Sequence, residues 1–445
     1  MSDPPKAETE TQPPPTAPDG SICGTAVTID DLTDQLASFF SATGVNDDAT
    51  LPPLTEWSAV EIGEGKGFLS VLARVDLKWS AASTPAGRHL PTSVIAKVPT
   101  DAKISQIAQG SDEMKAMIEM MKKDIYKMHN AEVSVYETFK KSKTTPTKVP
   151  LVYGCRRLDN EHSIELGEKA FIVMEDFTDR GSFRDFLKLE TLNDKQIRQL
   201  VTALAHVHAW SLIEDTSGIQ FVPMEEMVQK MMSAVVKTQA TVDETVKQDV
   251  EWREVLGEEL LTRTDVFKVT REQIESGLAE GHRKWGIPDM MSHGDVHTNN
   301  MLFAFDDNRA PTGDLLALID WQIVSSGNAL MDVARALNQP VPREKRTAAY
   351  RNEMLDLYYE TFEKAMTAAG KPVPFTLEVC RDAFWKTHTG LQVFWVPMWV
   401  SITKSVKLGM IPGLDPVVDS RKIMQEMKVQ FEELLELMKT IDPYA

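Results

Sequence analysis

Past Phe177 the chain is a succession of long amphipathic stretches, at 193–213, 223–256, 270–285, 344–369, 376–403 and 419–440, broken once between Pro288 and Asn328. Apolar residues recurring every three to four positions over such lengths predict helices, and each helix needs neighbours to cover its apolar face. A chain built this way must form a helical layer of its own. The break contains MLFAF and LLALIDW, apolar runs too short for such helices, and predicts a hairpin with polar residues at its turns. No fixed period relates the helices, which disfavours a stacked-repeat solenoid.

The first part of the chain has the opposite texture. From Val60, VEIGEGKGFLSVLARVDLKW puts a glycine-rich turn between two apolar runs, TSVIAKVP adds a β-branched run, and VPLVYGCRRL and KAFIVMEDF supply two more strands. Between Ser111 and Lys141 the apolar residues, Met114 through Phe139, fall at helical spacing before Pro146 and Pro150 interrupt. The fold class is therefore α+β and two-lobed. An antiparallel sheet with one main helix occupies 25–175, and a larger helical lobe occupies 176–445. Residues 1–24, rich in Pro, Thr and acid, bury too little apolar surface to offset their ordering entropy and are expected to form a disordered tail.

Composition narrows the partners. Among 445 residues, 42% are apolar and 26% charged, a balance that supports independent folding. The 48 Lys and Arg against 66 Asp and Glu leave a net charge of −18, which repels nucleic acid and anionic membrane surfaces. Such a surface attracts cations, although acidic surfaces more often serve solubility alone. Cys23, Cys155 and Cys380 are few and far apart, which argues against a disulfide framework or a Cys-rich metal site. The first residues lack an apolar segment after a basic start, and the apolar stretch Val393 to Ile402 is short and contains Pro397. A cytoplasmic protein with no membrane span and no obligatory protein partner is expected.

The chemistry concentrates in SHGDVHTNNMLF and LLALIDWQ. Phosphoryl transfer needs a carboxylate to accept or orient a hydroxyl proton and nearby oxygen ligands for Mg²⁺. Asp295 suits the first task and Asn300 the second. Asp320, at the end of an apolar strand, suits a second metal ligand. A lone Asp beside a Gly is commonly a turn residue, but turns alone do not account for the ordered series Asp, Asn, Asp. In the first lobe Gly63, Gly65 and Gly67 let the backbone approach phosphates closely and Ser70 adds a hydroxyl, though glycine-rich hairpins also occur as plain turns. Lys97 places an ammonium after the apolar SVIA, which favours an anionic partner over a surface strand end, and Glu132 on the following helix is a fitting one.

With these motifs the chain resembles the choline kinase and aminoglycoside phosphotransferase superfamily, a protein-kinase-like fold acting on small molecules. It is most similar to the ecdysteroid-kinase-like (CHK kinase-like) branch and its nematode relatives. The likeness covers roughly residues 55 to 440, carried by HGDxHxxNxLF, IDWQ and DVAR. The resemblance implies ATP and Mg²⁺, with Asp295 as catalytic base, Asn300 and Asp320 as Mg²⁺ ligands, and Lys97 on the α/β-phosphates, held by Glu132. It implies that Asp332 braces the catalytic loop and that VMED is the hinge, with Glu175 and its neighbours on adenine and Met174 lining the pocket. His297 stands where many relatives carry Trp. No HRD, DFG or APE sequence is present, so a protein substrate switched by an activation segment is not implied.

The function expected is ATP-dependent transfer of phosphate to a hydroxyl of a small molecule: choline- or ethanolamine-like, ecdysteroid-like or a xenobiotic alcohol. One rival is a non-catalytic nucleotide- or ligand-binding protein of the same fold. The other is a metallohydrolase using His293, Asp295 and His297 as an HxDxH set. Trp252, Trp285, Trp385, Phe394, Trp395 and Trp399 could cage an acceptor, but at helical spacing such residues are more often core.

Overall fold

The computed structural model describes residues 19–42, 51–62, 69–83, 87–102, 112–223, 246–411 and 413–444, with isolated positions between 226 and 242. The chain falls into two compact units. One comprises Met1–His129 with Pro150–Asp176, the other Asn130–Val149 with Phe177–Ala445. No helix among the described residues is long and apolar enough to cross a membrane.

The first unit begins with a helix, α1 (Ile29–Ala42), that the sequence reading did not include. Thr28 and Asp31 cap it reciprocally: the Asp31 carboxylate accepts from the Thr28 N–H at 2.9 Å, and the Thr28 hydroxyl accepts from the Asp31 N–H at 3.4 Å. Its buried stripe, Leu32, Leu36 and Phe40, joins Ile22 and Val27 in one core. Residues 19–24 therefore belong to the fold and not to the tail: Ile22 is fully buried and Ser21 bridges Thr28. Residues 1–18 lie outside the described residues.

The sheet runs β1 (Leu54–Ile62), β2 (Ser70–Trp79), β3 (Ser93–Pro99), β4 (Val152–Arg156) and β5 (Phe171–Glu175), in the order β1-β2-β3-β5-β4 with every ladder antiparallel. In β2 the side chains alternate, and Val71, Ala73, Val75 and Leu77 are buried. Ala73, Val75, Leu77, Val94, Ala96 and Val98 pack into the core that α1 covers. This is the antiparallel N-terminal sheet expected from the sequence.

The main helix, α2 (Asp112–Lys141), matches its expected span. Its last part, from Asn130, belongs to the second unit and not to the first, because its contacts lie there. Phe139 packs edge-on against Trp210 at 5.1 Å and Trp321 at 5.5 Å, and Ser134 Oγ accepts from the Gln220 N–H at 2.8 Å.

The second unit is mostly helical: α3 (Asp194–Ile213), α4 (Val250–Leu261), α5 (Leu330–Ala336), α6 (Ala348–Ala368), α7 (Leu377–Lys407) and α8 (Val418–Leu437). α3 packs on α6, and α7 packs on α8 and α5. β6 (Gly181–Ser182), β8 (Met301–Phe305) and β9 (Pro311–Leu318) form one small antiparallel sheet, β7 (Met290–Ser292) and β10 (Ser325–Gly327) another. β8 and β9 are the expected hairpin.

Two helix expectations need correction. α4 starts anew at Val250, capped by Asp249 Oδ1, and ends at Leu261. The stretch 270–285 is not one α-helix but a capped turn, a wide π-helical turn over Ile274–Ala279 and a 3-10 turn over Gly281–Trp285. The wide turn places the Leu278 carbonyl on Asn328 Nδ2 at 2.9 Å, an external donor of the kind that lets a helix depart from its own ladder.

Candidate active site

The buried strand β7 delivers His293, Gly294 and Asp295 to a loop pinned from three directions. The Asp332 carboxylate, on α5, accepts the His293 N–H at 2.6 Å and the Gly294 N–H at 3.0 Å. Burial pushes the Asp332 carboxyl up, but His208, whose Nε2 lies 3.5 Å away, and these donors outweigh it and hold the group below its usual range. The His293 ring donates from Nε2 to the Ile319 carbonyl at 3.0 Å and accepts from the Asp295 N–H at Nδ1, 3.2 Å. Burial lowers the His293 pKa, so the ring serves as a neutral pin. Gly294 has φ +82°, and a Cβ there would meet the Ile323 carbonyl oxygen at 2.5 Å, so only glycine fits the turn.

Asp295 sits between two basic side chains. Its Oδ1 accepts from Arg335 Nη1 at 3.1 Å, and its Oδ2 lies 3.2 Å from His297 Nε2. His297 Nδ1 accepts the Asn299 N–H at 3.3 Å, which leaves its ring proton on Nε2, facing Asp295. Burial pushes the Asp295 carboxyl up, but His297 and then Arg335 outweigh it and hold the group well below the usual carboxylate range. Arg335 also donates to the Gly294 carbonyl at 3.2 Å and lies over the Trp395 ring, 4.4 Å from its centre.

Asn300 is held beside this carboxylate. Its Nδ2 donates to the Asp295 carbonyl at 3.0 Å, which leaves the amide oxygen Oδ1 as its acceptor atom. The Asn300 carbonyl accepts from the Ile319 N–H at 3.1 Å, so the end of the loop is tied to the residue before Asp320. Asp320 has φ +67°, a conformation costly for a residue with a side chain and one that clusters at functional sites. The next residue, Trp321, is fully buried against the His293 ring at 4.4 Å.

Of the other residues singled out in the sequence, Glu132 lies on the part of α2 that belongs to the second unit and is buried. The Tyr136 hydroxyl donates to it at 3.4 Å, and burial together with the Glu132 and Asp320 carboxylates pushes that hydroxyl far above its ordinary pKa. Asp295, Asn300, Asp320 and Glu132 thus all belong to the second unit.

Lys97 lies in the first unit, buried on β3 opposite Leu72 and Ile172. Ser70 opens β2. Gly63, Gly65 and Gly67 lie outside the described residues. Met174 is buried near the end of β5. Glu175 closes that strand with its N–H on the Leu151 carbonyl at 2.8 Å and its carboxylate on the Leu151 N–H at 3.1 Å.

The HxDxH set does not converge as metal ligands do, since His293 Nε2 is engaged by the Ile319 carbonyl and Nδ1 of His293 and of His297 by backbone N–H groups of the loop. Among the described residues no group of three or more His, Cys, Asp or Glu could hold a metal ion. The donor set expected for Mg²⁺, an amide oxygen and one carboxylate with waters and phosphates completing the shell, needs fewer protein ligands than such a group.

Residues 16–440 match the model of a protein family described as DUF1679, "Uncharacterized oxidoreductase dhs-27". The chain belongs to this family. It is 25% identical to the Caenorhabditis elegans protein named "Uncharacterized oxidoreductase dhs-27" over 81% of its own length and 41% of that protein's, so it spans about two fifths of that relative. It is also 25% identical to the "Uncharacterized kinase-like protein D1044.1" of the same organism, over 64% of this chain and 69% of that one.

Among solved structures it is similar to a putative aminoglycoside phosphotransferase from Ralstonia eutropha, at 12% identity and a TM-score of 0.45, over 91% of this chain and 98% of that one. A choline kinase from Cryptosporidium parvum is similar at 9% identity and a TM-score of 0.44, over 92% and 95% of the two chains.

One member of the site, Arg335, was not assigned a role from the sequence. DVAR marks the position of Arg335, but only the fold shows that its guanidinium reaches a residue forty positions earlier. Of the aromatic candidates, Trp252 and Trp399 are both buried in one hydrophobic core, as their helical spacing suggests, while Trp395 and one side of Trp399 border a small cavity beside His297 and Arg335.

Proposed function

We propose that this chain is an ATP-dependent phosphotransferase whose acceptor is a hydroxyl of a small molecule, with Asp295 as the base. The observation that carries the reading is the arrangement of Asp295: an ionised, largely enclosed carboxylate clamped by Arg335 and His297, beside an oriented Asn300, on a loop that Asp332 fixes.

In the proposed reaction the acceptor oxygen attacks the γ-phosphorus of ATP as the bond from that phosphorus to the β-bridging oxygen breaks and ADP departs. The hydroxyl proton passes to Asp295. A carboxylate held so far down is a weak base, which suits a loose transition state in which the proton leaves late and the carboxylate mainly orients the hydroxyl. Mg²⁺, when bound, would neutralise charge developing on the phosphates, and Asn300 Oδ1 and Asp320 are the side chains that would hold it. Lys97 is proposed for the α/β-phosphates with Glu132 as its counter-ion, and Gly63, Gly65, Gly67 and Ser70 for the phosphate-covering turn. Met174 is proposed to line the adenine pocket. The Glu175 N–H is already committed to Leu151, so adenine hydrogen bonds fall to its neighbours.

The oxidoreductase name borne by one relative does not direct the reading of this chain. A doubly wound dinucleotide-binding sheet is parallel, and every ladder among the described residues is antiparallel. The test is ADP release from Mg·ATP with a panel of hydroxylated compounds. Release that needs both an alcohol and Asp295 supports the reading; release unaffected by Asp295→Asn refutes it.

A further inference from the structure

Asn328 is the corner at which two supports of the Asp295 loop meet. On one side Gly327 ends β10, which pairs with β7, the strand that delivers His293. On the other the Asn328 carbonyl accepts the Met331 N–H at 3.1 Å and opens α5, which carries Asp332 and Arg335. A shift of this corner moves the brace and the clamp relative to the loop they hold.

The corner is held by a buried amide. Asn328 Nδ2 donates to the Leu278 carbonyl at 2.9 Å and to Thr387 Oγ1, on α7, at 3.1 Å. Both amide hydrogens are spent, and a flip would turn the amide oxygen on the Leu278 carbonyl, where two acceptors repel. The wide turn over Ile274–Ala279 presents that carbonyl, so whatever sets the turn also sets the corner.

Pressing on the turn is the segment that follows α8, in which Pro443 is buried and Tyr444 half-buried. A Cβ at Gly277, inside the turn, would come within 2.8 Å of both the Pro443 carbonyl oxygen and Tyr444 Cδ1. One at Gly390, on α7, would meet Leu278 Cδ2 at 2.9 Å and Pro443 Cβ at 3.5 Å. Two positions without side chains thus let Pro443 and Tyr444 lie directly on the turn, and let Leu278 lie against α7. Because the Tyr444 ring meets backbone at Gly277, its loss leaves space that no side chain at that position can fill.

We propose that Tyr444 and Asn328 are positioning residues. The Tyr444 ring, seated on Gly277, holds the turn; the turn holds Asn328; and Asn328 fixes Asp332 and Arg335 against the Asp295 loop. The effect on turnover rests on the phosphotransferase reading, while the effect on the order of the loop does not.

The test sets hydrogen exchange at the His293 and Gly294 amides, both bonded to Asp332, beside basal ADP release from Mg·ATP by the full-length protein. Tyr444→Ala should speed that exchange about tenfold and leave amides of the first unit unchanged. It should lower kcat by about ten- to a hundredfold with KM for ATP unmoved, since a displaced loop costs turnover and not nucleotide binding. Tyr444→Phe keeps the ring carbons that meet Gly277 and should restore both. On an Asn328→Ala background, Tyr444→Ala should add little further exchange. Thr387→Val, which removes the other acceptor with little change of shape, repeats that comparison should Asn328→Ala not fold.

Wild-type exchange in Tyr444→Ala, with or without a lowered Tm, overturns the proposal. So does exchange that rises evenly across the second unit, which marks general loosening, and so do additive effects at Asn328. Failure of Tyr444→Phe to rescue overturns the role of the ring. Local exchange as expected, with no ADP release from the wild type, removes the phosphotransferase reading and leaves the positioning in place. Normal release and wild-type exchange in Tyr444→Ala do the reverse.

Discussion

Replacing Arg335 with Met leaves the partly buried Asp295 with one basic neighbour in place of two, and the consequences can be worked from the geometry. At 3.1 Å the two charges attract by about 5 kcal/mol in a medium of effective dielectric about 20. Both side chains keep some contact with water, at 13% and 22% exposure, so the net cost of breaking the pair falls somewhat below that of a fully buried one, about 2–3 kcal/mol. If that loss falls on the ionised form, the Asp295 pKa rises by about 2 units.

The direction in pH follows. A carboxyl depressed in the folded state contributes stability that is complete above its ordinary value near 3.8 and is lost as pH falls through the folded value. The Tm difference between wild type and Arg335→Met should therefore be constant from about pH 5 to 8 and shrink below about pH 4. The acid limb of kcat/KM, measured on basal ATP hydrolysis with water as acceptor, should move up by about 2 units in the variant. Arg335→Met on an Asp295→Asn background should cost much less stability than on wild type, which isolates the pairwise term. An unmoved acid limb, or a Tm loss that persists undiminished into acid and survives Asp295→Asn, would show that Arg335 acts by packing on Trp395 and not by holding the carboxylate ionised.

Asp295→Asn should reduce turnover by about 10²–10⁴-fold while the thermal shift given by Mg·ATP survives; unchanged turnover would remove Asp295 from the chemistry. Asp320→Ala should abolish the Mg²⁺-dependent part of that thermal shift, and a full shift in the variant would contradict its role as a metal ligand. Gly294→Ala forces a Cβ to 2.5 Å from the Ile323 carbonyl oxygen at φ +82° and should cost at least about 1–3 kcal/mol, seen as a lowered Tm. A wild-type Tm would mean the loop relaxes freely.

Much of the fold was legible because its elements are long and strongly patterned. The strand β2, α2 and the helices α6 to α8 follow from period-two or helical spacing over many residues, whereas most of β1, ahead of Val60, carries no such alternation. α1 was hidden by its composition: it lies soon after the Pro-rich start and is polar around a narrow stripe of Leu32, Leu36 and Phe40, whose partners are strands 30 to 140 residues away. The stretch 270–285 kept a helical pattern while its backbone followed a carbonyl drawn out to Asn328, a tertiary contact that spacing does not reveal.

The chemistry-bearing residues Asp295, Asn300 and Asp320 could be picked out because their types and order are unusual. Their surroundings could not. The Arg335 clamp crosses forty residues of sequence, and the bond from Asn328 to the Leu278 carbonyl crosses fifty. The assignment of the second half of α2 to the helical unit likewise depends on Phe139 meeting Trp210 and Trp321 from distant segments.

The central claim is phosphoryl transfer from ATP at Asp295, and ADP release by the full-length protein with Mg·ATP and a panel of alcohols tests it most directly, with Asp295→Asn as the blank. Release should rise with at least one alcohol and vanish in the variant. Equal release by both proteins, or none with any alcohol, would contradict it.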